Sequence, residues 1–294
     1  MTERLFSITV IGETVITLTL TSVGGAASFD DNKPSVTENS TIDTVIGTIK
    51  GEHQDITQDM TFSVEDTQNS GIVKFSNAAC VTKDEKRVCT AEVMVGATLD
   101  YELQSQYTLI CQVTNTAGKN TVEMFPLSLI DVNEAPTKIV YSEDQVSVRE
   151  NINGITLGMF IVVDPDNTDT HTYTLANDGG GKFTLTQTGQ LSVTDGANLD
   201  YETQPSVDIE VKVTDSGHLS WSQSFTVLVT DVNEIPTKVD LTNNKVLEMS
   251  AVGTVVGNLR TEDPDKNQTF TYELTDNADG RFLVEGNVLK VSVI

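Results

Sequence analysis

Two short acidic peptides occur twice in this chain at the same spacing. Asp-Val-Asn-Glu stands at 131–134 and 231–234, and Leu-Asp-Tyr-Glu stands at 99–102 and 199–202, so both recur after 100 residues. Two unrelated motifs that keep one period indicate a duplicated unit of domain size rather than a chance cluster of charge. Carboxylates at fixed places are typical ligands of a hard cation. The spacing therefore predicts repeated metal sites.

The charge balance argues against some partners. The chain has 294 residues, with 43 acidic residues against 18 basic ones, and a formal net charge of −25. Nucleic acid selects basic surfaces, so no nucleic-acid partner is expected. A solvated acidic surface would explain the charge, but it would not keep its acids in register between units. The sequence has no run of eighteen uncharged apolar residues, so no transmembrane helix is predicted.

The elements that position these acids are predicted to be β-strands. Apolar and polar residues alternate in short runs, for example at 207–213 and 224–230, and Gly, Asn and Asp separate the runs. The chain shows no convincing apolar stripe of helical period. Strands at this spacing in units of about 100 residues predict an all-β fold of tandem Greek-key β-sandwiches with about seven strands each.

The same pattern gives a domain division. Residues 5–23 are apolar-rich and alternate, which predicts the C-terminal hairpin of a truncated preceding repeat in 1–28, with a signal peptide as the alternative. Two whole repeats are then predicted at 29–137 and 138–237, and the first part of a third, truncated repeat at 238–294. The chain is thus expected to be a piece of a longer protein.

Five short motifs keep a constant order along the units. They are Glu-Asn (38–39 and 150–151, with Glu248 lacking the Asn), Asp-Pro-Asp (164–166 and 263–265), Asp-Tyr-Glu (100–102 and 200–202), Asp-Ser-Gly (215–217) and a linker of the form Asp-Val-Asn-Glu-x-Pro (131–136 and 231–236). Together they resemble cadherin repeats, the calcium-binding sandwich modules of adhesion proteins. Two details depart from the family: Tyr stands where a basic residue is usual in Asp-Tyr-Glu, and Glu134 and Glu234 stand where Asp is usual.

The resemblance implies Ca²⁺ bound at the junctions between repeats, in a linear array that the metal stiffens. A junction can supply the six to eight oxygens that calcium takes, because two repeats and a linker contribute to it. The first junction would use Glu38, Asp100, Glu102, Asp131, Asn133, Glu134, Asp164, Asp166 and Asp215. The second would use Glu150, Asp200, Glu202, Asp231, Asn233, Glu234, Asp263 and Asp265, and its late-loop Asp would lie beyond Ile294.

Two further expectations concern these sites. Asp100 and Glu102 are two residues apart, so on an extended segment both carboxylates would face the same side. The start of the first whole repeat has His53, Asp55 and Asn115 where the second has Asp164, Asp166 and Asp215. The segment 22–25 also has no acid. A calcium-free, more flexible joint is therefore predicted near Ser22–Ala27.

The three cysteines and two sequons have simple interpretations. Cys80 and Cys89 flank a hairpin loop with Lys83 to Glu85 at its tip, which favours a cross-strand disulfide. Cys111 is in phase with apolar neighbours and is predicted to be a buried core thiol. Asn39 and Asn267 begin Asn-x-Thr/Ser sequons, so a glycoprotein is expected if the source secretes through a glycosylating pathway.

An enzyme is the main competing class. Paired carboxylates can serve acid–base catalysis, but their copies would require duplicate active sites. The histidines (His53, His171 and His218) stand at non-equivalent places, and no nucleophile motif is present. No enzymatic activity and no small-molecule substrate are expected.

The predicted function is calcium-dependent cell adhesion or extracellular spacing at the cell surface. The implied partners are other cadherin-like repeats, in cis or in trans, and any membrane attachment would use segments outside this chain. The alternative is a bacterial-type surface adhesin or matrix protein that uses the same repeats as a calcium-stiffened stalk, with carbohydrate binding elsewhere in the full chain.

Overall fold

A computed structural model describes residues 17–21, 27–30, 33–64 and 71–293, and its regular elements are β-strands. This confirms the predicted all-β class. In the described part of the chain, no helix has the length and apolar character needed to cross a membrane. The chain divides between Glu134 and Ala135 into two compact units.

In its described residues, the first unit is a two-sheet sandwich of ten strands. They are β1 (Thr17–Thr21), β2 (Ala27–Asp30), β3 (Lys33–Thr37), β4 (Val45–His53), β5 (Met60–Val64), β6 (Val73–Phe75), β7 (Ala79–Lys83), β8 (Lys86–Val95), β9 (Gln106–Asn115) and β10 (Asn120–Ile130). One sheet has the order β1-β4-β8-β6 with β7 also paired to β8, and the other has the order β2-β3-β10-β9-β5. Alternating strand residues fill the space between the sheets, among them Ile49, Leu109, Val113 and Leu127.

Strand β1 belongs to the sandwich of the first repeat. It pairs antiparallel with β4, with Thr17 opposite Glu52 and Thr21 opposite Thr48. This differs from the prediction that places this segment in a hairpin of a preceding repeat. Residues 22–26 lie outside the described residues, but β3, which follows them, pairs with β10 of the same repeat. The predicted joint near Ser22–Ala27 lies almost entirely on residues outside the described part of the chain and stays a prediction.

A long hairpin distinguishes the first repeat. Strands β7 and β8 pair from Ala79–Thr90 to Lys83–Lys86, and the two turn residues Asp84 and Glu85 both have positive φ, as a tight hairpin turn requires. A disulfide joins Cys80 to Cys89 across this hairpin, as the sequence predicts. Cys111 is a free, buried thiol, and burial raises its pKa to about 12. The predicted core thiol is thus confirmed.

The second unit begins with a complete sandwich. Its eight strand segments are β11 (Lys138–Tyr141), β12 (Ser147–Arg149), β13 (Thr156–Val163), β14 (Thr172–Asn177), β15 (Phe183–Leu185), β16 (Gln190–Val193), β17 (Ser206–Thr214) and β18 (Ser220–Thr230). They form sheets of order β11-β13-β16-β15 and β12-β18-β17-β14. The short β11 and β12 follow one another along the chain and pair in different sheets; counted as one interrupted strand, they give seven strands, in agreement with the prediction of about seven.

The second unit continues into one further sheet. Its strands are β19 (Lys238–Leu241), β20 (Val255–Glu262), β21 (Phe282–Glu285) and β22 (Val288–Val291), in the order β19-β20-β22-β21. This is the order of the sheet that contains β11, and Lys238 pairs with Glu262 as Lys138 pairs with Val163. The tandem repetition of one strand plan is therefore present in the backbone pairing as well as in the motifs.

Candidate metal centre

The Glu-Asn motif of the first repeat provides a buried carboxylate. Glu38 is 3% exposed and follows β3. Its Oε1 accepts a hydrogen bond from the backbone N–H of Val132 at 2.8 Å, and its Oε2 accepts one from that of Tyr101 at 2.7 Å. The Glu38 side chain thus connects the start of the repeat to the Asp-Tyr-Glu segment and to the linker. Carboxylate oxygens of Glu38, Glu102 and Asp131 lie within 4.8 Å of one another.

The second repeat builds the same arrangement. Glu150 is 1% exposed and accepts hydrogen bonds from the N–H groups of Tyr201 and Val232, both at 2.7 Å. Carboxylate oxygens of Glu150, Glu202 and Asp231 again lie within 4.8 Å of one another. The Leu-Asp-Tyr-Glu and Asp-Val-Asn-Glu motifs, which recur after 100 residues, therefore lie close together at one end of each sandwich.

The surroundings of the second acidic group, Glu150, Glu202 and Asp231, favour neutralisation of its negative charge. Loss of water around the Glu202 carboxyl raises its pKa, and the nearby charges of Glu150, Asp231 and Glu234 raise it further. The pKa of Asp231 is also raised, first by desolvation and then by Asp265. Like-charged groups held this close favour a proton or a cation in the site.

The asparagine of the Glu-Asn motif positions the linker. Asn39 and Asn151 both have left-handed φ, 55° and 58°, a conformation that asparagine tolerates better than most residues. Asn39 Nδ2 donates to Glu134 Oε1, and Asn151 Nδ2 donates to Glu234 Oε1, both at 2.7 Å. The glutamates that replace the usual aspartates are thereby held by a hydrogen bond. Asn39 uses in this bond the nitrogen that a glycan at its sequon would require.

The Asp-Tyr-Glu segments are turns rather than extended strands. Residues 101–103 and 201–203 form a turn. Asp100 Oδ1 accepts a hydrogen bond from the N–H of Leu103, and Asp200 Oδ1 accepts one from that of Thr203. The expectation that both acids of a motif face one side because the segment is extended is therefore corrected. The structure groups Glu102 and Glu202 with the other acids, and a ligand role for Asp100 and Asp200 stays a prediction.

The second linker contacts the Asp-Pro-Asp loop that follows β20. The N–H of Glu234 donates to Asp265 Oδ2 at 2.7 Å, and the N–H of Asp265 donates to Asp263 Oδ1 at 3.0 Å. Asp265 is 7% exposed. Asn233 Nδ2 donates to the carbonyl of Glu234, and Asn233 Oδ1 accepts from Gln268. Asn133 makes the same bond to Glu134 in the first linker. Of the ligands predicted for the second junction, Glu234, Asp263 and Asp265 are thus linked by hydrogen bonds within one compact unit.

A third acidic group lies at the start of the second sandwich. Carboxylate oxygens of Asp164, Asp169 and Asp215 lie within 4.8 Å of one another. Asp164 also pairs with His171 Nε2 at 2.7 Å and accepts a hydrogen bond from the N–H of Asp166 at 3.1 Å. The resemblance implied Asp164, Asp166 and Asp215 as ligands, and the sequence analysis missed Asp169 because it belongs to none of the five motifs. The feature that could have identified it is a further acidic residue three positions after the Asp-Pro-Asp motif.

The first repeat has neutral groups in the equivalent place. His53 and Asn115 are 4% and 5% exposed, and His53 Nε2 lies 3.3 Å from Asn115 Nδ2. The N–H of Asp55 donates to His53 Nδ1, as that of Asp166 donates to Asp164. This end of the first repeat therefore keeps Asp55 in the place of Asp166 but has no carboxylate in the places of Asp164 and Asp215.

These acidic groups suit a hard divalent cation. In the described part of the chain, three buried side-chain polar atoms lack a hydrogen-bond partner, and two of them are the carboxylate oxygens Asp169 Oδ2 and Glu202 Oε2. Burying such an atom without a partner is costly, and a bound cation would supply one. The donors are carboxylate, amide and carbonyl oxygens, which is the ligand set that Ca²⁺ takes.

Comparisons with known proteins agree with the motifs. The cadherin domain family matches residues 144–230. Protocadherin Fat 2 of Rattus norvegicus is 29% identical over 275 residues, a match that covers 87% of this chain and 6% of that protein. Cadherin-24 of Homo sapiens is 31% identical over 205 residues, which cover 64% of this chain and 25% of that protein. The chain thus spans a quarter or less of the length of these relatives.

A solved structure shows the same fold. The crystal structure of repeats EC22-24 of mouse cadherin-23 superposes with a TM-score of 0.63 at 18% identity, and covers 94% of this chain and 88% of that one. The similarity supports tandem sandwiches of this type. These relatives and the structural neighbour are cadherins and protocadherins rather than enzymes, and the absence of catalysis in this chain stays a prediction.

Proposed function

We propose that this chain, which belongs to the cadherin superfamily, is part of an extracellular adhesion or spacer protein whose repeats are stabilised by Ca²⁺ at their junctions. The observation that carries the proposal is the group of Glu150, Glu202 and Asp231, in which a buried carboxylate oxygen of Glu202 has no hydrogen-bond partner among the described residues. The same group recurs in the first repeat as Glu38, Glu102 and Asp131. A structural site that is copied with the repeat fits this role better than a catalytic centre.

At the second junction we assign the ligands to two sets. Glu150, Glu202 and Asp231 form the inner set, and Asp200, Asn233, Glu234, Asp263 and Asp265 supply further oxygens around it. Bound calcium would offset the mutual repulsion of these acids, which no basic side chain in the two sets neutralises. The site requires flexible coordination by many oxygens, which favours Ca²⁺ over the smaller and more strictly octahedral Mg²⁺.

At the first junction the assigned ligands fall in both units. Glu38, Asp100, Glu102, Asp131, Asn133 and Glu134 belong to the first, and Asp164, Asp166 and Asp215 belong to the second. Each set contains a compact acidic group of its own. We propose that each set binds calcium. We also propose repeats that end near residues 137 and 237, with a first repeat that includes Thr17–Thr21.

Calcium titration tests the proposal directly. Calorimetry on the metal-stripped protein should show binding in the range of about 10⁻⁴–10⁻³ M or tighter, as in extracellular calcium modules. The melting temperature should rise with calcium because binding stabilises the folded state. Glu202→Gln should weaken binding, whereas Glu143→Gln, at an exposed loop position, should not. An identical melting temperature in chelator and in several millimolar calcium would contradict the proposal.

The adhesive role is a separate part of the proposal. The partners we propose are other cadherin repeats at a cell surface, in keeping with the relatives that this chain resembles. Beads coated with the full-length extracellular protein should aggregate in calcium and disperse in chelator. Calcium binding without any bead aggregation would restrict the function to spacing.

A further inference from the structure

We propose that Asp169 is a calcium ligand at the start of the second repeat, where it adds a fourth carboxylate to Asp164, Asp166 and Asp215. This inference rests on the proposed calcium function and extends its ligand set. Asp169 Oδ1 accepts a hydrogen bond from Ser216 Oγ at 2.6 Å, which fixes the side chain beside the Asp-Ser-Gly loop. An oxygen of Asp169 lies within 4.8 Å of oxygens of Asp164 and Asp215.

The second oxygen of Asp169 is buried without a hydrogen-bond donor from the described residues. Oδ2 is buried and has no hydrogen-bond partner among the residues that the structure describes. Its neighbours in the group are almost inaccessible as well, because the Asp164 side chain is 3% exposed and Asp215 is 4% exposed. A buried anionic oxygen that accepts no hydrogen bond is unfavourable unless a cation faces it.

The first repeat shows the same position without the charge. Gln58 stands three residues after Asp55, as Asp169 stands three residues after Asp166, and in both cases the backbone N–H donates to the carbonyl of that aspartate. Gln58 Oε1 accepts a hydrogen bond from Thr116 Oγ1 at 2.8 Å, as Asp169 Oδ1 accepts one from Ser216. In the second repeat, the acidic group consists of Asp164, Asp169 and Asp215.

In the first repeat those positions are His53, Gln58 and Asn115. All three carboxylates are replaced together by neutral side chains that keep the local hydrogen bonds. A loss of charge at every member of the group, with the loop geometry retained, indicates that the three acids serve one ligand.

In the third repeat, the residue equivalent to Asp169 contacts the linker. Gln268 stands three residues after Asp265, and its Nε2 donates to Asn233 Oδ1 at 3.1 Å. Asn233 belongs to the linker and is one of the ligands assigned to the second junction. The position is therefore within reach of the metal-binding linker. Among the three repeats only the second has a carboxylate there. The start of the second repeat is thus the most acidic of the three loops and should bind calcium more tightly for that reason.

The test replaces Asp169 by the residue of the other two repeats. Asp169→Gln removes the charge but retains an acceptor for Ser216, as Gln58 does for Thr116. The matched control is Asp208→Asn, since Asp208 Oδ1 accepts a hydrogen bond from Thr226 Oγ1 at 2.7 Å on the exposed side of β17. Calcium calorimetry and thermal unfolding in chelator and in calcium are measured for both variants and for the unmodified protein.

We expect Asp169→Gln to weaken one class of calcium sites about tenfold or more, and to lower the calcium-dependent rise in melting temperature, while Asp208→Asn leaves both unchanged. Equal calcium affinity in Asp169→Gln and the unmodified protein would overturn the assignment of Asp169 but leave the proposed function intact. No calcium binding by the unmodified protein would refute both. If Asp169→Gln unfolds in chelator, the shorter Asp169→Asn provides the same comparison.

Discussion

At the scale of single residues, two neighbouring glutamates contribute to the site in different ways. Glu150 accepts two backbone hydrogen bonds from Tyr201 and Val232 and is buried by the fold itself. Glu202 lies beside it with a buried oxygen that lacks a partner among the described residues, and its pKa is raised. We therefore assign Glu150 both a structural and a metal-binding role, and Glu202 a metal-binding role.

Removing each glutamate should separate these roles. Glu150→Ala leaves the part-buried N–H groups of Tyr201 and Val232 without their acceptor, which costs up to about 1–3 kcal/mol for each donor whether or not calcium is present. Glu202→Gln should leave stability in chelator unchanged or slightly higher, since it relieves repulsion, and should reduce the stabilisation by calcium. Denaturant unfolding in chelator and in calcium measures both effects. Equal losses for the two variants in chelator would contradict the division.

The raised pKa values of Glu202 and Asp231 predict an acid-stabilised metal-free state. An acid whose pKa is higher in the folded protein binds more protons there than in the unfolded chain, so the free energy of unfolding falls as pH rises through that pKa. In chelator, the contribution of these two groups should therefore grow as the pH falls from neutral toward their raised pKa values. In calcium the trend should reverse, because protons compete with the metal for the same oxygens.

Thermal unfolding across this pH range provides the measurement. The double variant Glu202→Gln/Asp231→Asn serves as the control, because it lacks both titrating groups. Its melting temperature in chelator should change less with pH than that of the unmodified protein. Parallel pH profiles for the two proteins would show that these acids do not titrate in the folded state as their surroundings imply.

At the scale of elements, the first repeat has a long hairpin that the second repeat lacks. Strands β7 and β8 are joined by the Cys80–Cys89 disulfide, and Met60 N–H lies 3.3 Å from Cys89 Sγ. In the second repeat, β15 and β16 are connected by the short segment 186–189. The longer hairpin gives the first repeat an additional edge strand, and the disulfide constrains it covalently.

Removing the disulfide should destabilise the first repeat. A cross-link between residues 9 apart in sequence restricts the unfolded chain, and a loop of this length corresponds to about 2–3 kcal/mol in the chain-entropy treatment. Cys80→Ser/Cys89→Ser should therefore lower the melting temperature of that repeat, with calcium affinity at the second junction unchanged. Cys111 provides an internal control, because its buried thiol should react with a thiol reagent only after unfolding. No change in stability would show that the cross-link adds nothing to the hairpin.

At the scale of the whole molecule, the net charge of −25 makes the chain self-repelling. General screening by salt and specific binding of calcium both reduce this repulsion, but they act differently. Screening depends on ionic strength and affects all exposed acids, whereas bound calcium would act at the acidic groups that contain Glu102, Glu202 and Asp169.

Calcium should therefore stabilise the protein more than sodium chloride at matched ionic strength. Several millimolar CaCl₂ should raise the melting temperature clearly, and the matched NaCl solution only slightly, because exposed charges gain little from screening. MgCl₂ at the same concentration should have an intermediate effect. Coincident melting temperatures in the three solutions would mean that charge screening alone acts and that the acidic groups bind no calcium.

The sequence alone determined the repeated plan of this protein. The period of 100 residues and the alternation of apolar residues predicted tandem all-β sandwiches, and the resemblance of the ordered acidic motifs to cadherin repeats implied the meeting of Glu38 with Glu102 and Asp131. These features are local or periodic, so a linear pattern contains them. Pairing of Cys80 with Cys89 was predictable for the same reason, because a hairpin brings near neighbours in sequence together.

The tertiary structure decided what depends on contacts between distant segments. Thr17–Thr21 alternates like the last strand of a preceding repeat, and only its pairing with β4 places it in the first repeat. Asp169 belongs to no motif, and it joins Asp164 and Asp215 because the 215–217 loop folds against it and Ser216 holds its carboxylate. The Asp100 carboxylate accepts a hydrogen bond from the Leu103 N–H in a turn, whereas the sequence analysis expected an extended segment. A one-dimensional pattern specifies periodicity, but the direction of a carboxylate is set by the donors that surround it.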